Sequence, residues 1–431
     1  MSAARATFRS LHTRNFRLFF FGQMVSQCGT WMQTIALGWL VVQLSHNSGV
    51  AVGLVLALQF IPTLLFGVWG GYIADRFDKR RVMVCTQIAM AAVAVLLATL
   101  DISGVVQLWM IYVVVFVYGL ALAVDNPTRQ SFVPEMVTAP ELPNAIGLSS
   151  AIFQSARIIG PALAGVLIVL VGTGVCFVLN AVSFVFIIAA LLAMRPSELH
   201  RDAPVAARGG QIREGLRYVW RTPQLRSTLL LTLIVGTFAI NTPVVLPLLA
   251  RITFGGNAAV YSWMTMAMGA GALIGALFVA TRAQARGDML FKTGLGFGIA
   301  LCTAALSPTL GLFIGLLVVV GIGQMSFLTT CNSLIQLTSD PAMRGRVMSV
   351  YMITLLGSTP IGGPIVGWVS QQFGPRWGLA IGGIATIGAV LVFGTAFMRA
   401  RRRDDRRDVV DVRDGEIVVG VDGEAIPAAI T

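Results

Sequence analysis

A chain of 431 residues, 56% hydrophobic and only 12% charged, with a mean hydropathy of +0.80, carries more apolar surface than two soluble domains could hide, since soluble domains average about 25% charged residues. Hydrophobic stretches of about 20 residues recur down its length, the signature of membrane-spanning helices. The net charge of +12 does not point to nucleic acid, because the basic residues crowd into alternate loops instead of forming one patch, the distribution that membrane insertion produces.

The N-terminus, "MSAARATFRSLHTRNFR", is basic and enters a long span without a small-residue cleavage site, so no removed leader is expected. Twelve spans are predicted, at 17–44, 48–74, 82–101, 105–125, 144–170, 173–194, 225–250, 257–281, 288–306, 309–337, 344–371 and 375–398. An even count places both termini on one side. Loops on that side hold Arg76, Lys79, Arg80 and Arg81, then seven arginines from Arg195 to Arg226, then Arg399 to Arg407. The opposite side offers only Arg251 and Arg376, so the positive-inside bias puts both termini in the cytoplasm.

Between the sixth and seventh spans, Ile212, Leu216, Val219 and Trp220 alternate with Arg213, Arg217 and Arg221. This pattern predicts an amphipathic helix lying along the membrane surface. Beyond Arg399 the tail has the composition of a disordered segment, with "DG" between Val-rich runs able to turn a small hairpin. The expected organisation is a six-helix bundle over 1–194, a cytoplasmic linker over 195–224, a second six-helix bundle over 225–398 and a cytoplasmic tail over 399–431. Cys28, Cys85, Cys176, Cys302 and Cys331 lie in apolar segments at no metal-ligand spacing and read as small buried hydrophobes.

The halves echo each other. "HTRNFRL" at 12–18 is matched by "RTPQLRS" at 221–227, "IIGPALAG" at 158–165 by "IGGPIVG" at 361–367, and "GVWGG" at 67–71 by "GALIG" at 271–275. Offsets that agree in this way indicate two related six-helix halves, an arrangement typical of transporters.

"GYIADRFDKRRVM" at 71–83 interrupts the apolar pattern with one Asp and a knot of basic residues. It resembles the loop between the second and third helices of the major facilitator superfamily, matching at Gly71, Asp75, Arg76, Arg80 and Arg81 and departing at Asp78, where the family has Gly. The segment 144–165 is similar to the family's fifth-helix antiporter motif at Gly147, Gly160, Pro161 and Gly165, with Ala156 and Ala164 replacing two glycines. "GTWMQTIALGWLV" at 29–41 and "NPTRQSFVPEMV" at 126–137 look like the branch that includes the enterobactin exporter and multidrug-efflux relatives.

The resemblance implies an all-α membrane protein with the major facilitator fold, twelve helices in two pseudo-symmetric six-helix bundles. It also implies a gate in which the second helix packs on the eleventh. Gly67-x-x-x-Gly71 would permit close approach. Asp75 would face the N-terminus of the eleventh helix, Asp340 would cap that helix with Pro341 in its first turn, and Arg129 or Arg80 would add a link. At Asp78 a left-handed turn is expected to survive, since Asp tolerates that conformation.

In this fold the first, fourth, seventh and tenth helices line a central cavity. Gln23, Gln27, Thr30 and Thr34, with Trp31 beside them, share one face of the first. Tyr112, Phe116 and Tyr118 lie on the fourth, Thr237 and Asn241 on the seventh near Pro243 and Pro247, and Gln324, Thr330 and Asn332 on the tenth. Such stripes line a cavity or bind helices to one another. Arg157 stands about 20 Å into the fifth helix, where an unpaired Arg costs at least about 2.5 kcal/mol. It reads either as a receptor for an anionic or oxygen-rich ligand or as a structural Arg bonded to carbonyls or Gln154. No acidic residue falls at mid-membrane, which leaves Asp125 and Asp75 to carry any proton coupling.

No nucleophile–base pair, phosphate loop or metal cluster appears, so neither an enzyme nor a cofactor is expected. The reading is a monomeric bacterial inner-membrane exporter of small amphiphilic molecules such as drugs or siderophore-like metabolites, by alternating access. Uptake of a metabolite, or a non-transporting sensor or channel, are the alternatives.

Overall fold

The computed structural model describes residues 8–200, 211–280, 287–394 and Phe397. Most of the arginine-rich linker stretch and the expected tail over 399–431 lie outside them. The helices run as α1 (Arg14–Leu44), α2 (Gly49–Arg76), α3 (Lys79–Ile102), α4 (Leu108–Phe132), α5 (Leu142–Val171) and α6 (Thr173–Leu192). After a short linker helix, Gln211–Arg221, come α7 (Pro223–Thr253), α8 (Ala258–Ala280), α9 (Gly287–Leu306), α10 (Leu310–Thr338), α11 (Arg344–Phe373) and α12 (Pro375–Gly394).

Eleven helices among the described residues are long and apolar enough to cross a membrane. The twelfth, α1, spans 31 residues and falls short in hydropathy because Gln23, Ser26, Gln27 and Gln33, all buried, dilute its apolar content. A helix inside a bundle can afford such residues, since it need not face lipid on every side. Outward-facing side chains are apolar instead. Leu170, Phe186 and Leu306 are exposed, and Trp109, Trp263, Trp368 and Trp377 stand exposed near the far ends of their helices, where amphipathic rings sit at a membrane–water interface.

The internal repeat is visible as a repeat of helix partners. In the first half α1 packs on α5 and α6, α2 on α4, and α3 on α4 and α6. In the second, α7 packs on α11 and α12, α8 on α10, and α9 on α10 and α12. Even the turns correspond. Gly172 between α5 and α6 has φ 91° and Gly374 between α11 and α12 has φ 97°, a left-handed backbone that favours glycine. This is the major facilitator architecture of two pseudo-symmetric bundles, which meet chiefly where α2 crosses α11 and α5 crosses α8.

α7 is not continuous. It stops at Phe238, resumes at Thr242 with Pro243 in its first turn, and ends in a π-helical turn at Leu249–Thr253. Pro243 lacks the donor an unbroken helix would need. The Asn241 side chain satisfies two other carbonyls left at the end of the first segment, donating from Nδ2 to Gly236 O (3.1 Å) and Thr237 O (2.7 Å).

The cysteine expectation needs correction. Cys176 and Cys331 are buried, but Cys85 is exposed, because its face of α3 looks outward.

Candidate functional site

The two inter-bundle crossings are tight at the end of the molecule away from the termini. A Cβ placed on Gly367 of α11 would lie 2.2 Å from the Gly49 carbonyl oxygen of α2, and one on Gly53 would lie 2.3 Å from the Gly363 carbonyl oxygen. Beside them Ser48 Oγ donates to Gln371 Oε1 at 2.8 Å, and the Val50 amide donates to the same atom at 3.2 Å. At the other crossing a Cβ on Gly165 of α5 would lie 2.7 Å from Ser262 Cβ of α8. Arg251 sets its guanidinium 5.8 Å from the centroid of the Trp39 ring, joining α7 to α1 by a cation–π contact. Gln371, Trp39 and Arg251 went unrecognised in the sequence. The four-residue spacings Gly49–Gly53 and Gly363–Gly367 were the legible signal for this end.

The end that carries the termini is open. A Cβ on Gly67, Gly71, Gly147 or Gly345 would meet nothing within 4 Å. The glycine that admits a neighbour on α2 is Gly70, where a Cβ would lie 2.0 Å from the Ala123 carbonyl oxygen of α4. The close approach therefore lies one residue from the expected pair and within a bundle, because Gly67 and Gly71 face away from α4. The second half repeats it, with Gly271 and Gly275 of α8 against backbone of α10.

The charged motif divides its labour. Asp75 is exposed and Arg76 folds onto Tyr72, whose hydroxyl accepts from it. Arg80 donates to the carbonyls of Leu191 (2.6 Å) and Leu192 (2.9 Å), satisfying the end of α6. Lys79 pairs with Glu135. Asp78 is no left-handed turn residue: its φ is −59° and its carboxylate caps α3, accepting from the Arg81 amide at 3.1 Å. The capping expectation for α11 is corrected as well. Met343 occupies the N-cap without a side-chain capping bond, Pro341 precedes the helix, and the Asp340 carboxylate accepts instead from the Tyr218 hydroxyl at 2.9 Å.

Asp125 is buried, 1% exposed, between α4 and α3. Its Oδ1 accepts from Thr86 Oγ1 and Gln87 Nε2, both at 2.8 Å, and its Oδ2 lies 3.1 Å from Arg129 Nη2. Arg129 also donates to Asn126 Oδ1 at 2.8 Å, so its link runs to Asp125 and not to Asp75. Outside this network a groove of about 480 Å³ opens between α2, α3 and α4, apolar in depth, with Asp78 and Arg81 on its wall.

The polar face of α1 splits between neighbours. Thr30 and Thr34 turn into a cavity of about 20 Å³ inside the first bundle, shared with Gln33, Gln59 and Tyr118, enough room for one water. Gln23 and Gln27 are buried, with Gln23 Oε1 unpaired. Tyr112 and Phe116 of α4 are half-buried. Thr237 and Asn241 belong to the α7–α11 contact, where a Cβ on Gly362 would lie 1.9 Å from the Thr237 carbonyl oxygen and 2.4 Å from Asn241 Nδ2. They sit in the packing between the two helices, while their own side-chain hydrogen bonds stay within α7. On α10, Gln324 is buried, Thr330 bonds back to Ser326, and Asn332 accepts from Gln336.

Trp31 faces α5. There Gly160 lets the helices touch, its Cβ position lying 2.5 Å from Trp31 Cβ; Ala156 and Pro161 are buried nearby. The Arg157 guanidinium stands 5.7 Å from the Trp31 ring centroid, and Phe153 meets the same ring edge-on with centroids 5.8 Å apart. No carboxylate pairs with Arg157 among the described residues, and the backbone of α8 passes at Gly269. The alternative of a bond to Gln154 is not realised among the described residues, and Gln154 Nε2 is buried without a partner. Arg157 thus sets unspent donors against the half-buried Trp31 ring, with Phe153, 47% exposed, at the ring's edge.

The family model for transmembrane secretion effectors matches residues 5–424. The chain is 26% identical to the staphyloferrin A transporter of Staphylococcus aureus over 384 residues, 88% of this chain and 95% of that one. It is 27% identical to the multidrug efflux pump Tap of Mycolicibacterium fortuitum over 377 residues, 83% and 89% of the two chains. Its fold is similar to that of a bacterial homolog of the human lysosomal transporter Spinster in its inward-facing, unoccupied conformation, with a TM-score of 0.71, 15% identity and coverage of 90% and 96%. Two symmetric bundles meeting at crossed glycine-lined helices, and a family match over nearly the whole length, make this chain a multi-pass membrane transporter of the major facilitator superfamily, in its transmembrane secretion effector family.

Proposed function

We propose that this transporter exports small amphiphilic molecules rich in anionic or polar oxygen from a bacterial cytoplasm, by alternating access of the bundles 1–194 and 225–398. The observation that carries the reading is Arg157, a guanidinium well inside the fifth span, set against Trp31 and without a paired carboxylate among the described residues. Keeping such a group costs at least about 2.5 kcal/mol, while a cation–π contact returns about 0.5–2 kcal/mol. A ligand anion that completes the guanidinium's bonding offsets the remainder. The nature of the relatives, a staphyloferrin A transporter and a drug efflux pump, supports the outward direction. The arginine-rich face holding Arg76, Arg80, Arg81, Arg195 and Arg226 supports cytoplasmic termini, in which case the open end faces the cytoplasm.

Substituting Arg157→Lys tests this. Lysine keeps the charge and loses the planar five-donor fork, so binding of an anionic, oxygen-rich compound falls about tenfold, worth about 1.4 kcal/mol, while a cationic amphiphile is spared. Equal loss for both compounds together with a lowered melting temperature defeats the recognition role.

Proton coupling is assigned to Asp125. It is the buried carboxylate held by Arg129, Thr86 and Gln87, and adding a proton would remove the charge that Arg129 faces. Asp125→Asn should make transport less sensitive to an uncoupler while ligand binding stays within a few-fold of native. An uncoupler response identical to the native one removes Asp125 from coupling.

A further inference from the structure

The linker helix Gln211–Arg221 has two working faces. At about 100° per residue, Glu214, Gly215, Tyr218 and Val219 fall on one side and Leu216, Trp220, Arg213, Arg217 and Arg221 on the other. The first side is docked. Val219 is 1% exposed, Glu214 pairs with Arg346 at 2.7 Å, the Tyr218 hydroxyl donates to Asp340 Oδ2 at 2.9 Å, and a Cβ on Gly215 would lie 2.9 Å from the Arg346 carbonyl oxygen. All of these bonds go to the start of α11 or the turn before it. The second side is bare: Leu216 and Trp220 are 49% and 58% exposed, and all three arginines are exposed beside them.

We propose that this bare face binds the headgroups of anionic phospholipid at the terminal face of the membrane, and that bound lipid thereby restrains the start of α11. The position follows from covalent continuity, since Thr222 alone separates Arg221 from the first residue of membrane-spanning α7. A helix tethered there lies at headgroup depth. Leu216 and Trp220 supply the apolar and amphipathic pair that enters the interface, and Arg213, Arg217 and Arg221 form a row that meets phosphate by charge-assisted hydrogen bonds. Zwitterionic lipid would satisfy the apolar pair but leave the row without net attraction; anionic lipid satisfies both. The expectation of a helix lying flat on the membrane through Leu216, Val219 and Trp220 together is thus revised, because Val219 is committed to the protein.

The docked face makes this more than anchoring. Asp340 and Arg346 flank the beginning of the helix that must approach α2 when the terminal end closes. A lipid-held linker helix adds resistance to that movement.

The test uses the full chain in phosphatidylcholine nanodiscs carrying an equal fraction of brominated phosphatidylglycerol or brominated phosphatidylcholine. The fluorescence of Trp220 is read as the difference between the native protein and Trp220→Phe. Phosphatidylglycerol should quench this signal at a lower lipid fraction than phosphatidylcholine. Each Arg→Gln change at 213, 217 and 221 should raise the half-quenching fraction about fivefold. The triple Arg→Lys variant should stay near native, which separates lost charge from lost folding. Quenching equal for both lipids, or by neither, overturns the proposal. So does quenching that appears only after residues 399–431 are removed, because the tail would then be the occupant of this face.

Discussion

The two ends of α2 and α11 are built from different chemistry. At the far end the helices touch backbone to backbone through Gly49, Gly53, Gly363 and Gly367, with Ser48 and Gln371 bonded alongside. At the terminal end Gly67, Gly71 and Gly345 meet nothing, Asp75 is exposed, and the neighbouring charges are satisfied within one bundle or by the linker helix. The far end is held by shape, through close backbone contact at small residues. We propose that the terminal end closes instead through the charge of Asp75 facing the start of α11, an electrostatic contact worth about 0.3–2 kcal/mol, so that the two ends of one helix pair alternate.

The largest effect should come from spoiling the shape of the closed end. In Gly367→Val the added side chain meets the Gly49 carbonyl, which is backbone and cannot swing away. Overpacking of this kind costs about 1–3 kcal/mol, so transport should fall about fivefold to 150-fold at matched membrane expression. Native transport by this variant would break the comparison, because the glycine contact would then not be needed for closure.

Asp75→Asn should act on the other state. With no bond to lose in the open end, the variant should keep its melting temperature in detergent while transport falls about twofold to 30-fold, the range that a carboxylate near a helix N-terminus supports. A lowered melting temperature with unchanged transport would reverse the assignment and make Asp75 a structural residue.

Arg251→Gln should give the smallest change, since Arg251 is exposed while its partner Trp39 is part of the core. The cation–π contact it removes is worth about 0.5–1 kcal/mol, a shift of about twofold to fivefold toward far-end opening. Accessibility of the far-end cleft to a charged thiol reagent, at a cysteine placed beside Trp39, reads that shift. No increase in labelling would mean that the glycine crossings hold the far end closed without the cation–π contact.

Some of the site was legible and some was not. The repeat "IIGPALAG" and "IGGPIVG" pairs Pro161 with Pro364 and sets Ala164, the neighbour of Gly165, opposite Gly367; Gly165 and Gly367 each lie where their helix crosses the opposite bundle. The Gly67–Gly71 spacing did not locate the close approach, since a Cβ on either would meet nothing and Gly70 makes the contact. Thr237 and Asn241 were expected one turn apart on one helix, yet Asn241 stands in the break before Pro243, and both residues meet α11 there. Trp39 and Arg251 could not be paired in advance, because nothing in either segment says which distant helix lies opposite.

Hydropathy, charge asymmetry and the internal echo determined by themselves that this is a twelve-helix membrane protein in two related halves. Each of those signals is local: a span needs only its own apolar residues, and a repeat only its own copy. The tertiary structure decided which neighbour each polar or small residue meets. It gave Asp340 to Tyr218, Arg80 to the end of α6, Arg129 to Asp125 and Arg157 to Trp31. Helical periodicity fixes the direction of a side chain about its own axis and carries no information about the helix on the other side. That choice belongs to packing, where the fit of whole faces selects the partners.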